Sequence, residues 1–248
     1  MNILVVNPNT SPEMTRTIEA ALAEFDEAVS IDVRNVPWGP LSVESETDNI
    51  IAASAVIDTV WNAKDKYDGF VIACFDDPGL EACRELVPQP VVGIGASALL
   101  AAKEAVERVG VIVVDTRVVP RVAAHCARNG LDSDRVLFGS LDGTVVELNA
   151  DSAEVTARFA QVADDLLARG AQCLVLACAG FSDQAERLER RTGVPVFDGN
   201  LFGAESVRRL VERGHRNTDT VAPQPFTGDR TAKPAWSATA GVEERAQL

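Results

Sequence analysis

The chain has only two histidines, His125 and His215, and none of its five cysteines forms a CxxC pair. Structural zinc sites draw on closely spaced sulfur and nitrogen ligands, so the sequence offers no metal framework. No apolar run approaches the ~20 residues that span a bilayer. The opening residues Met1–Asn7 carry neither a basic segment nor a long apolar one, so an export signal is not expected. Basic residues are in deficit, with 23 Lys and Arg against 37 Asp and Glu and a formal net charge of −14. Such a surface repels phosphate backbones and anionic lipid, which excludes nucleic acid and membrane as expected partners. Cys74, Cys83, Cys126, Cys173 and Cys178 are odd in number and accompany no export signal. They point to reduced thiols and a cytoplasmic protein.

Apolar residues are abundant, at 46% of 248 positions. That is enough for a core and excludes a wholly disordered chain. The length allows one large domain or two small ones. Short apolar runs alternate with helical periodicity. Strands are expected at Ile3–Val6, Ser30–Val36, Gly69–Ala73 and Val91–Ile94. Helices are expected at about Glu13–Glu24, Thr47–Lys64 and Ser97–Arg108, with Thr10 or Ser11 capping the first and Pro12 in its opening turn. Another helix is expected after Phe75-Asp76-Asp77-Pro78, with Asp77 as its N-cap. The pattern then restarts. Strands are expected at Val109–Val114, Cys173–Ala177 and Val194–Phe197, and helices at Val118–Arg128, Ala153–Arg169, after Ala179–Asp183, and at Asn200–Arg213. Continuous apolar strands between helices imply parallel sheets covered on both faces.

The restart is a repeat. Asn7 and Asp115 end the two opening strands, Cys74 and Cys178 end strands of one kind, and Pro90 and Pro195 precede the next strands. The three offsets are 108, 104 and 105, which indicates a duplicated α/β unit. A first half over 1–108, completed by the helix near 200–215, and a second over 109–199 are expected. Residues 216–248 contain Pro223, Pro225, Pro234, Gly228 and Gly241 without apolar periodicity, and read as an extended or disordered tail. Phe226 and Trp236 in it are candidates for docking on a neighbouring subunit.

Cys74 and Cys178 are the sharpest feature. Open parallel sheets bind ligands beyond the carboxyl ends of their strands, where both thiols lie, each before a helix start. Backbone N–H groups there favour a thiolate, so a depressed pKa is expected. Two thiols facing each other across a substrate form the minimum apparatus of cofactor-independent racemisation. Two structural core cysteines are the alternative. Cys173, an odd five residues from Cys178, belongs on the opposite strand face and in the core. Cys83 and Cys126 fall in helices and read as packing residues. His125 and His215 have no thiol or acidic neighbours in sequence. Gly93-Ile94-Gly95-Ala96-Ser97-Ala98 has the GxGxxA form, with Asp115 22 residues after Gly93. It supports a competing nicotinamide-binding reading, although the repeat also accounts for the turn.

Several segments carry a family resemblance: Asn7-Pro8-Asn9-Thr10-Ser11, Gly39-Pro40-Leu41-Ser42-Val43-Glu44, Ala73-Cys74-Phe75-Asp76-Asp77-Pro78-Gly79-Leu80, Val92-Gly93-Ile94-Gly95, Cys178-Ala179-Gly180 and Gly193-Val194-Pro195-Val196-Phe197-Asp198-Gly199. Across about residues 1–215 the chain resembles the Asp/Glu/hydantoin racemase superfamily, in its hydantoin and allantoin branch. The resemblance implies two pseudo-symmetric Rossmann-like, flavodoxin-like α/β halves with the site in the cleft between them. It implies that Cys74 and Cys178 are the acid/base pair. It implies a small-molecule substrate held by Asn9, Thr10, Ser42, Phe75, Asp76, Asp115, Thr116, Ala179 and Gly180, with no metal or organic cofactor, in a homo-oligomer. Related sequences tend to carry Glu at Ala96, Thr-Thr at Asp115-Thr116 and Gly at Ala177. Racemisation of 5-substituted hydantoins or allantoin is expected, and Asp115 is expected to disfavour acidic substrates. An aspartate or glutamate racemase, a maleate isomerase, a nicotinamide-dependent oxidoreductase and a non-catalytic ligand-binding protein are the alternatives.

Overall fold

The computed structural model describes residues 1–148 and 152–217. The tail beyond 217, with Phe226 and Trp236, lies outside the described residues. Two four-stranded parallel sheets carry the fold. In the first, β1 (Asn2–Asn7) lies between β2 (Ser30–Asn35) and β3 (Gly69–Ile72), with β4 (Val91–Gly93) beyond β3. In the second, β5 (Val109–Val113) lies between β6 (Val136–Ser140) and β7 (Cys173–Leu176), with β8 (Val196–Asp198) beyond β7. The two sheets therefore repeat one strand order. Every residue of β3, β5 and β7 is buried, which is why these strands read as unbroken apolar runs.

The helices are α1 (Pro12–Ala21), α2 (Glu46–Ala63), α3 (Leu80–Leu86), α4 (Ile94–Ala105), α5 (Val119–Arg128), α6 (Val145–Leu148), α7 (Ala153–Ala168), α8 (Ser182–Thr192) and α9 (Gly199–Glu212). Ser11 caps α1, its hydroxyl accepting from the Met14 N–H. Ser45 and Asp48 close a reciprocal capping box on α2. β6 and α6 were not expected from the sequence. Only two of the five β6 residues are fully buried, so its apolar signal is diluted. The N-cap of α3 is Gly79, not Asp77. Asp77 instead adopts a positive φ of 51° and turns its carboxylate towards α4. That contact starts α4 at Ile94, three residues earlier than its sequence pattern.

The halves interlock through the cysteine loops. Phe75, which follows Cys74, is buried in the core built mainly from β5, β7 and α7. Ala179, which follows Cys178, is buried in the core built on β1, β3 and β4. α9 returns to pack on β3, β4 and α4. Each half thus holds down the loop that the other half presents.

Candidate active site

Cys74 and Cys178 occupy one position in two equivalent turns. Each lies two residues beyond its central strand, after a residue that extends the ladder: the Ala73 N–H donates to Val6 O and the Ala177 N–H to Ile112 O. Each cysteine carbonyl then accepts a turn-closing bond, from the Asp77 N–H at 3.0 Å and the Phe181 N–H at 3.2 Å. Both residues are partly open and line the same cleft between the halves. The inner cavity has a volume of about 60 Å³, room for on the order of four water-sized spheres. A compact ligand fits such a space.

Of the residues expected around it, Asn9, Ser42, Phe75, Asp76 and Ala179 line this cleft with the two thiols. Gly180 contributes its backbone N–H, which favours the thiolate of Cys178. Thr10 is committed elsewhere, because its N–H and its hydroxyl both donate to Pro40 O. Asp115 and Thr116 are not in the inner cleft. Asp115 caps the 3₁₀ turn Thr116–Val118 and accepts from both the N–H and Nε of Arg117, each at 2.8 Å. It lines the outer mouth beside Glu44 and Arg117. A donor two residues away captures the carboxylate that sequence reasoning aimed at the substrate.

Two contributors were missed. Arg121, on α5, reaches across the cleft, donating from Nε to Asp76 Oδ2 at 2.9 Å and from Nη1 to Glu44 O at 3.4 Å. His125, one turn further on, is buried with Nε2 at 3.2 Å from Asp77 Oδ2. It therefore has the acidic partner that its sequence neighbours lack. The i, i+4 spacing of Arg121 and His125 beside Val118 and Val122 marks one helix face, but partners 45 and more residues away leave no trace in sequence.

The electrostatics reverse one expectation. Burial pushes the Cys74 thiol well up from its ordinary value, and the Asp76 carboxylate adds to the effect, against the help of the Asp76 N–H. Burial pushes Cys178 up to about 11, against the Gly180 N–H. The amide donors are present as expected, but desolvation of the thiolate outweighs them. Cys83, Cys126 and Cys173 are packed in the cores, where burial pushes each up to about 12.

The GxGxxA turn has a different explanation from a nucleotide. The Gly95 and Ala96 N–H groups donate to Asp77 Oδ1 and Oδ2 at 2.9 and 2.7 Å. A Cβ on Gly95 would lie 1.9 Å from Phe75 O. The helix start where a pyrophosphate would sit is filled by the protein's own carboxylate and loop. With Asp115 bonded to Arg117, both halves of the dinucleotide fingerprint are otherwise engaged.

Residues 3–207 match the Asp/Glu/hydantoin racemase family. The chain belongs to that family. It is 30% identical over 221 residues to a hydantoin racemase from Pseudomonas sp. (strain NS671), covering 88% of this chain and 89% of that protein. The solved allantoin racemase from Klebsiella pneumoniae superposes with a TM-score of 0.86 at 30% identity, over 92% of this chain and 96% of that one. The arylmalonate decarboxylase structure, at 20% identity and a TM-score of 0.63 over 86% and 94% of the two chains, shares the fold. Among the described residues of this racemase-family protein, no helix is long and apolar enough to cross a membrane.

Proposed function

We propose that this protein is a cofactor-independent racemase of 5-substituted hydantoins or of allantoin. The observation that carries the reading is the pair of thiols at pseudo-equivalent strand ends lining one small cleft. Its similarity to hydantoin and allantoin racemases supports the substrate class. In this scheme one cysteine, as thiolate, takes the proton from the carbon next to the ring carbonyl, and the electron pair passes into an enolate. The other, as thiol, returns a proton to the opposite face, and the roles exchange with the substrate enantiomer. Backbone N–H groups of the two cysteine turns would stabilise the enolate oxygen. Residues 1–108 with α9 form one wall of the site in this reading, and 109–199 the other. The proposal includes a homo-oligomer in the cytoplasm, where the five free thiols stay reduced.

The test is polarimetry with enantiopure hydantoins, allantoin, aspartate and glutamate, with solvent deuterium incorporation followed in parallel. Hydantoins or allantoin should racemise without added metal or nucleotide. Cys74→Ser and Cys178→Ser should each lose about 10²–10⁴-fold in racemisation. One of them should still exchange the proton of a single enantiomer. Full activity in either variant, or turnover of the amino acids alone, refutes the reading.

A further inference from the structure

The cleft holds a buried carboxylate whose hydrogen bonding is half complete. The Asp76 side chain is only 8% exposed. Its Oδ2 is taken by Arg121 at 2.9 Å, whereas its Oδ1 is buried without a hydrogen-bond partner. A carboxylate oxygen removed from water with no donor is costly, and native structures rarely leave one so. Arg121 comes from the second half and fixes the carboxylate through one oxygen only, so the other is left for a donor that arrives with a ligand. The place of Asp76 says which donor. It lies two residues from Cys74, and its charge is felt at both Cys74 and Cys178. The reacting carbon must sit between those thiols, so the group presented to Asp76 is an immediate neighbour of that carbon.

We propose that Asp76, salt-bridged to Arg121, accepts the N–H adjacent to the reacting carbon and so restricts the enzyme to substrates that carry a hydrogen on that nitrogen. In a hydantoin this is N1–H, and N3–H is on the far side of a carbonyl. The inference rests on the racemase reading and names the specificity-determining group within it. It also predicts rejection of acidic substrates, because a carboxylate placed beside Asp76 meets a like charge. That role was expected of Asp115, which is bonded to Arg117 instead.

The experiment compares kcat/KM for a 5-substituted hydantoin with its N1-methyl and N3-methyl derivatives. Uncatalysed deuterium exchange of each serves as the control for intrinsic acidity. Wild type should accept the N3-methyl compound and lose about 10–100-fold or more on the N1-methyl one, the size of a lost hydrogen bond to a charged group. In Asp76→Ala that discrimination should collapse towards unity, a change that a merely structural role for Asp76 would not produce. In Asp76→Asn the amide oxygen turns to the Arg121 donor and the amide N–H₂ faces the substrate N–H. The N1–H substrate should then fall below the N1-methyl one relative to wild type. Should the variants fail to fold, the two methyl derivatives on wild type still decide. Equal turnover of N1–H and N1-methyl substrates overturns the inference while leaving the racemase reading intact. Absence of turnover with all three and with allantoin overturns that reading itself.

Discussion

Raising the pH should accelerate this enzyme far beyond the point where an ordinary thiol has finished titrating. Burial pushes the Cys178 thiol up to about 11 from an ordinary 9. That displacement corresponds to about 3 kcal/mol against the thiolate. Burial also pushes the Cys74 thiol well up, and Asp76 and Asp77 both oppose its charge. Between neutrality and pH 10 the active form, one thiolate and one thiol, is therefore a minority that grows with pH. At pH 8 the Cys178 thiolate fraction is about one in a thousand, from 11 − 8 = 3 decades, and at pH 10 it is about one in eleven. Because kcat/KM reports the free enzyme, it should rise roughly 90-fold over those two pH steps, with near-unit slope. A thiol titrating near 8.5 would give roughly a fourfold rise and a plateau. The assay is polarimetric kcat/KM from pH 7 to 10.5 with an N3-methyl hydantoin, so that the substrate's imide proton does not titrate, and with uncatalysed racemisation subtracted. A plateau between pH 8 and 10 would refute the claim that desolvation governs these thiols and would restore the depressed pKa that their turn positions alone suggest.

Two further outcomes follow from the geometry. Gly95→Ala puts a methyl 1.9 Å from the Phe75 carbonyl and 2.8 Å from His125 Nε2. The obstacle is backbone, so the variant should lose about 3 kcal/mol or more, read as a fall in Tm of roughly 6–12 °C; an unchanged Tm would show that the loop gives way. Asp115→Thr should leave the ratio of kcat/KM for neutral and anionic substrates unchanged, since the Asp115 carboxylate is engaged by Arg117 at the outer mouth. A shift in that ratio would return Asp115 to the substrate's surroundings.

What the sequence discloses here depends on how local its cause is. The central strands are buried on both faces and announce themselves as apolar runs, so the alternating pattern and the 104–108-residue repeat are legible. The positions of Cys74 and Cys178 at strand ends follow from the same runs. β6 escapes notice because it is half-buried. The early start of α4 is invisible because the carboxylate that caps it is delivered by a loop 18 residues upstream. Arg121 and His125 read as an ordinary charged helix face, since their partners Asp76 and Asp77 come from the other half. The direction of the thiol pKa values also depends on the other half. Turn amides are a property of the local chain, but exclusion of water is a property of the closed cleft.

The carboxylate beneath each cysteine loop records how the two halves have diverged. In the first half Asp77 serves the N–H groups of Gly95 and Ala96, two and three residues after the strand-ending Gly93. In the second, the strand-ending residue is itself Asp198, which serves the Asn200 N–H, two residues on, and the Ser182 hydroxyl. With an offset of 105, Asp198 is the counterpart of Gly93, whereas the cysteine turns are offset by 104, so the counterpart of Asp77 is Phe181 and Ser182 follows it. The acid at the helix start thus comes from the cysteine turn in the first half and from the strand end in the second. A Cβ on Gly93 would fall 2.1 Å from the Asp77 carboxyl carbon, so the two arrangements cannot be combined in one half. In the first half the residues at 77 and 93 are therefore coupled. An acid gained at 93 while Asp77 persists is a collision, and an acid lost at 77 while Gly93 persists bares a helix start.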